Sequence, residues 1–308
     1  MSAAGVTVVI PCFNHGRFVA ECVASLERQT YPAWRAIVVD DASTDGETPA
    51  LCDAVRGERV EVVHLPENLG RAPARNVGVR RAATEAVLSL DADDALDPAH
   101  LERTVPRLLA DPRCGIVYTD YQLFGDATHV MRARPFDEAA LYRRQYIFAG
   151  SLFRRSAFDR TPGYRAEFNI GNEDWDIWLS IVEAGYRGEH VPEPLYRYRR
   201  HAGAWTSQDP VARADKILRS RELLRQLHHP GFERSGQLAG FDHDTHLEGG
   251  AALLAAGDVA RARESLRRAA RVRPWALAPR WLLLRAWLAG ARPAPPVGDP
   301  GTQRKGTT

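Results

Sequence analysis

Along the first 125 residues, short apolar runs alternate with stretches of helical spacing. Val6–Ile10, Ala36–Val39, Val60–Leu65, Ala86–Leu90 and Ile116–Leu123 are rich in β-branched residues and bounded by turn formers, so they read as strands. Between the first two, Phe18, Val19, Cys22, Val23 and Leu26 recur at the spacing of one helix face. Ala72 to Ala83 is also helix-like, with Pro73 tolerated only in a first turn. Nearly continuous apolar strands separated by helices predict an α/β fold, a Rossmann-like, mostly parallel sheet covered on both faces.

From Phe136 to His201 the pattern loosens, as suits a loop-rich half that shapes a second pocket. One helix is clear there, Glu173 to Gly185, with Trp178, Ile181 and Val182 on one face. Ala212 to Leu227 predicts a further amphipathic helix. In His243–Pro274, Gly250, Leu253, Gly257-Asp258, Ala262, Leu266, Ala269 and Pro274 stand at the spacing of a single tetratricopeptide repeat. One such hairpin cannot bury its own apolar face, so it must pack on the rest of the chain or on a partner. Trp275–Leu288 predicts the first helix of a second unit. The Pro-, Gly- and Thr-rich stretch 293–308 predicts a disordered tail. The expected domains are 1–209, a small α-helical region at 210–292, and the tail.

Composition is that of an ordinary globular protein, with 44% hydrophobic and 26% charged residues. The net charge of +2 hides an asymmetry: from Pro210 onward there are 17 Lys+Arg against 9 Asp+Glu. That basic region is a candidate for peripheral membrane or protein contact. A solvated arginine-rich face is the plainer reading. Four cysteines without CxxC spacing predict core residues in a reducing compartment. No basic start with an apolar core opens the chain, and no run approaches the roughly 20 apolar residues of a membrane span. A cytoplasmic protein, peripheral at most to the inner face of a membrane, is expected, with no nucleic-acid partner.

The chemistry concentrates at strand ends. Asp91-Ala92-Asp93-Asp94 follows the fourth strand, and three crowded carboxylates repel unless a cation sits among them. Hard ions such as Mg²⁺ or Mn²⁺ take carboxylates together with substrate phosphates. An exposed acidic turn is the plain alternative. The first strand ends in Pro11-Cys12-Phe13-Asn14, the second in Asp40-Asp41-Ala42-Ser43-Thr44-Asp45, and the third leads to Asn68-Leu69-Gly70-Arg71 and Ala74-Arg75-Asn76. In a parallel sheet these ends share one edge and line one cleft.

These motifs, in this order, resemble the family 2 glycosyltransferases, over about residues 5–205. The resemblance implies the GT-A fold and inverting sugar transfer from a nucleotide diphosphate. Pro11, Phe13, Asn14, Asp40, Asp41, Asn68, Gly70, Arg71, Arg75, Asn76, Asp91 and Ala92 fall at donor-binding positions. Asp40 can accept the N3–H of a uracil or thymine edge, and cytosine would leave it unpaired. Guanine also offers an N–H, so a UDP-sugar is the expected donor without GDP being excluded. Asp91 would hold the ribose, or the metal through water. Asp93 would bind Mg²⁺ or Mn²⁺, with His201 as a further ligand; a surface histidine is the plain reading of His201. Arg71 or Arg75 would support the nucleotide or its phosphates, against a salt-bridge reading for each.

The resemblance continues at Asn172-Glu173-Asp174-Trp175. A carboxylate at a helix N-terminus is stabilised in its charged form, as a base requires. Asp174 is the expected general base, Asp176 the fallback, and a helix cap the plain alternative. Gly150, Ser151, Glu173 and Trp175 fall on the acceptor side, where small residues let an acceptor approach, and Trp175, Trp178 and Trp205 are candidates to stack on sugars. Trp178 also fits the apolar stripe of a core helix. The Gln-x-x-Arg-Trp motif of processive members is missing, since Leu277-Ala278-Pro279 precedes Arg280-Trp281. The implied activity is non-processive, metal-dependent transfer to a saccharide, lipid-linked or other acceptor. Two alternatives stand beside it. One is an inactive nucleotide-sugar-binding or scaffold protein that recruits partners through its helical region. The other is a nucleotidyltransferase, disfavoured because the loop after the first strand has one Gly and no Lys.

Overall fold

The computed structural model describes residues 5–201 and 210–290. Every run expected as a strand forms one. Strands β1 (Val6–Cys12), β2 (Trp34–Asp40), β3 (Val60–His64) and β4 (Ala86–Ser89) run parallel in the order β3-β2-β1-β4. They are joined by α1 (Gly16–Glu27), α2 (Thr48–Ala54) and α3 (Arg71–Arg81). The chain moves outward from β1 to β3, then returns to the other side of β1. That reversal leaves a crevice at the C-terminal ends of β1 and β4, the place where open α/β sheets bind ligands.

Beyond β4 the sheet becomes mixed. The chain runs through β5 (Ala95–Leu96), α4 (His100–Ala110), β6 (Cys114–Gly125), β7 (His129–Met131), α5 (Glu138–Arg143), β8 (Leu152–Arg154), α6 (Arg155–Phe158), α7 (Glu173–Glu183) and β9 (Arg187–Arg200). Strand β8 lies antiparallel between β4 and β6, and β9 pairs parallel with β6 and antiparallel with β5. Successive strand residues face opposite sides. Val8, Ile10 and Leu88 pack with Leu26 and Leu101 on one face, and Val9 and Val87 pack with Val79, Phe153 and Trp178 on the other. All four cysteines are buried and free.

Contacts divide the chain into two units, the first including residues 216–241 and the second residues 209–215 and 242 onward. In the first, α8 (Pro210–Leu227) supplies its later turns and α9 (His229–Arg234) follows. His228, between these helices, is fully buried and bonds Asp176 and Glu183 of α7, each at 2.9 Å. Phe241 packs edge-on to Trp175 at 5.6 Å. The second unit takes in α10 (Leu238–Ala255) from residue 242, with α11 (Val259–Val272) and α12 (Leu277–Gly290). There α10 and α11 meet at Gly250, where a Cβ would stand 2.7 Å from Leu266 Cγ. Among the described residues no helix is long and apolar enough to cross a membrane. Trp205 and the tail 293–308 lie outside the described residues.

Candidate active site

The loops after β1 and β2 are tied together by short polar side chains. Asn14 has a left-handed backbone, φ 56°. Its Oδ1 accepts the Thr44 and Asp45 N–H groups at 2.8 and 3.2 Å. Asp45 in turn accepts from the Thr48 N–H and hydroxyl, which starts α2. Pro11 lies in β1, and Phe13 and Asn68 are exposed at the loop tips. Asp40 ends β2 and is 2% exposed. It accepts the Ser43 N–H at 3.1 Å and bonds His64, its neighbour across β3, at 2.8 Å. Hydrogen bonds to Asp40, and then to Asp53, hold His64 above its usual value.

Asp41 does a different job. Its two oxygens accept the Leu69 and Gly70 N–H groups, each at 2.8 Å, and so fix the turn that opens α3. Gly70 sits at φ 90°, and a Cβ there would come 2.2 Å from Asn169 Nδ2. Asn169 bridges that turn by donating to the Leu69 carbonyl and accepting from the Ala72 N–H. Asn76 clamps the Tyr164 backbone in both directions, at 2.7 and 2.9 Å.

The acidic strand tip splits three ways. Asp91 Oδ1 accepts from Arg75 Nη2 at 2.6 Å. Burial would raise Asp91, but Arg75 and then Arg71 outweigh it and hold the carboxyl below its usual range. Ala92 is buried between. Asp93 Oδ2 stands 3.0 Å from His201 Nε2 and 3.9 Å from His15 Nδ1. Asp94 does not emerge with the others, contrary to expectation. It is 1% exposed, with the Tyr196 hydroxyl on one oxygen at 2.6 Å and the Arg199 N–H on the other at 2.8 Å. Burial, with Asp93 and Asp91 nearby, pushes it well above the carboxylate range.

Asp93 and His201 are the side chains that a divalent ion would meet. Asp93 has the His201 imidazole at 3.0 Å and the His15 imidazole at 3.9 Å. Among the described residues no group of three or more His, Cys, Asp or Glu side chains is placed to hold a metal ion. Mg²⁺ and Mn²⁺ sites commonly take one or two protein carboxylates and complete their shell with substrate phosphates, so Asp93 fits such a site together with a bound diphosphate.

Arg75 is a buried hub rather than an open anion site. It is 1% exposed and donates to Ser89 Oγ (3.0 Å), Glu173 Oε1 (2.6 Å) and Asp91. Arg71, 28% exposed, meets the same Glu173 oxygen at 2.9 Å. Glu173 therefore joins the first residue of α7 to α3. Burial pushes it up, and the two arginines bring it below its usual value.

Asp174 stands next to that pair in the opposite state. Burial first, then the charge of Glu173, push it up to about 7. Its Oδ1 accepts the Trp175 N–H at 2.9 Å, and Oδ2 accepts from the amide of Gln145. A base poised near neutral pH can both take and release a proton. The fallback Asp176 is fully buried against Arg165 and His228.

The sugar-platform expectation is corrected for Trp175, while Trp178 is the core side chain that its place on the apolar stripe implied. Trp175 and Trp178 are 1% and 0% exposed, and Trp175 Nε1 donates to the Leu141 carbonyl at 2.8 Å, so both are core side chains rather than sugar platforms. Gly150 and Ser151 are also buried. A Cβ on Gly150 would fall 1.9 Å from the Tyr196 ring, so its small size accommodates Tyr196. Sequence reasoning missed Gln145, Asn169, His64, Tyr196, Arg199 and His15. His15 adjoins the Asn14 motif and Arg199 adjoins His201. The others come from distant segments and carry no local signal.

A mixed α/β sheet, acidic at the tip of its fourth strand and faced by a perturbed carboxylate at a helix N-terminus, is the layout of a GT-A glycosyltransferase. Glycosyl transferase family 2 matches residues 7–172, and the chain belongs to that family. It is a glycosyltransferase. TuaG of Bacillus subtilis, assigned as a teichuronic acid biosynthesis glycosyltransferase, is 30% identical over 202 residues, 63% of this chain and 78% of TuaG. The mannosyltransferase PcManGT from Pyrobaculum calidifontis, solved with GDP-Man and Mn²⁺, superimposes with a TM-score of 0.61 at 23% identity, covering 92% of this chain and 80% of that one. S. aureus TarS 1-349, solved with UDP-GlcNAc, gives 0.57 at 16% identity over 92% and 89%.

Proposed function

We propose that the protein is an inverting, non-processive glycosyltransferase that uses a UDP-sugar and a divalent ion, with Asp174 as general base. The observation that carries this is Asp174 itself. It lies at the N-terminus of α7, beside the Arg71–Glu173–Arg75 junction that also holds Asp91. A donor lying along the tips of β1, β2 and β4 would have its sugar near that junction. The acceptor hydroxyl attacks the anomeric carbon on the face opposite the diphosphate. The new C–O bond forms as the C–O bond to phosphate breaks, and the hydroxyl proton passes to Asp174. Asp40 accepts the N3–H of the uracil on a lone pair left by Ser43 and His64. Asp91 takes the ribose side, and Arg71, the more exposed arginine, lies on the phosphate side. Asp93 and His201 would hold Mg²⁺ or Mn²⁺, which supplies positive charge for the leaving diphosphate when bound.

The acceptor is a saccharide, free or lipid-linked. The support is the relatedness to TuaG, assigned to teichuronic acid biosynthesis. Thermal shifts with UDP, TDP, GDP and CDP, each with and without Mn²⁺, test the donor site on wild type and Asp93→Ala. A UDP shift that needs Mn²⁺ and vanishes in Asp93→Ala is expected. A shift with GDP alone overturns the uridine assignment, and no shift with any nucleotide overturns the donor site.

A further inference from the structure

We propose that helix α12 is a docking surface for an anionic lipid bilayer. At 100° per residue, Leu277, Trp281, Leu284 and Leu288 fall on one stripe of α12. They are 78%, 58%, 55% and 53% exposed. The opposite stripe, with Pro279 and Ala286, is buried. The helix rests on Pro279 and Ala286 with Leu282 and Leu283 half-buried beside them, and still turns four large apolar side chains outward, the reverse of what water favours. Trp275, in the turn before α12, and Trp287, beside the stripe, are exposed too.

Charge names the occupant. Arg280 borders one edge of the stripe and Arg285 the other, with the Arg285 guanidinium 5.0 Å from the Trp281 ring. Residues 259–290 hold eight arginines and one acid, Glu264. An apolar stripe rich in Trp and bordered by arginines matches a bilayer interface: Leu and Trp enter the acyl boundary, and the arginines reach lipid phosphates. A symmetric second copy on this face would set arginine edges against each other. With no described helix able to span a bilayer, α12 would lie along its surface.

The test uses the full chain and stands apart from the reading of the active site. Co-sedimentation with phosphatidylcholine vesicles, with and without phosphatidylglycerol, is compared for wild type, Leu284→Glu and the pair Arg280→Glu with Arg285→Glu. Wild type binds the anionic vesicles, and its tryptophan emission shifts to the blue. Both variants lose on the order of tenfold in binding, with melting temperature unchanged because the altered side chains are exposed. Equal binding to neutral and anionic vesicles, or variants that bind like wild type, overturns the proposal. So does a wild-type dimer that ignores vesicles and is made monomeric by Leu284→Glu.

Discussion

Four carboxylates in this site fall into two groups. Asp91 and Glu173 share the buried guanidinium of Arg75 and are held below their usual range. Asp93 and Asp174 stand two and one residues further along the chain, yet Asp93 meets imidazoles and Asp174 meets an amide. Asp174 is pushed up to about 7, while Glu173, its neighbour in sequence, is pulled down. Burial raises both, and the difference is that Glu173 bonds the Arg71 and Arg75 guanidinium groups directly. The arginine-bound pair joins α3, β4 and α7 into one frame. The other pair is left with the groups that chemistry can use.

The largest expected effect separates frame from chemistry directly. Asp174→Asn should lower transfer by about 10²- to 10⁴-fold while donor affinity holds, measured as kcat against the dissociation constant of UDP. Near-normal turnover would remove Asp174 from the base role. Arg75→Met tests the frame: two carboxylates lose a buried partner, and unfolding free energy in urea should fall by about 3–5 kcal/mol. A loss within the range of a surface substitution would show that Arg71 alone suffices. Asp93→Ala should keep the fold and lose Mn²⁺-dependent stabilisation by UDP, about 2.7 kcal/mol at 100 times the dissociation constant.

The smallest effect sharpens the comparison through pH. A base must be ionised, so kcat/KM should be high above about 7 and fall as pH drops through the value of Asp174. Gln145 donates to that carboxylate and favours its charged form. Gln145→Leu should therefore move the acid limb upward, by less than the roughly one unit that a 1.4 kcal/mol hydrogen bond would give. A downward move would contradict the direction of that bond.

Much of the frame is legible in the sequence. The apolar runs became β1–β4, and the periodic stretches became α1, α3, α7 and α8, because turn chemistry and periodicity act locally. The roles of single side chains were less legible. Asp41 and Asn76 carry the motif signature but serve the Leu69–Gly70 turn and the Tyr164 backbone. Trp175 carries the look of a sugar platform and lies in the core.

The sequence by itself determined the family, the strand and helix order, and the edge at which polar residues gather. Those follow from patterns within a few residues and from the topology that parallel strands impose. Only the tertiary structure decided which carboxylate faces which cation. Arg75 is separated by 14 residues from Ser89 and by 98 from Glu173, and His201 by 108 from Asp93. Charge–charge energy varies steeply over a few ångströms in a partly buried site, and chain position does not encode those distances.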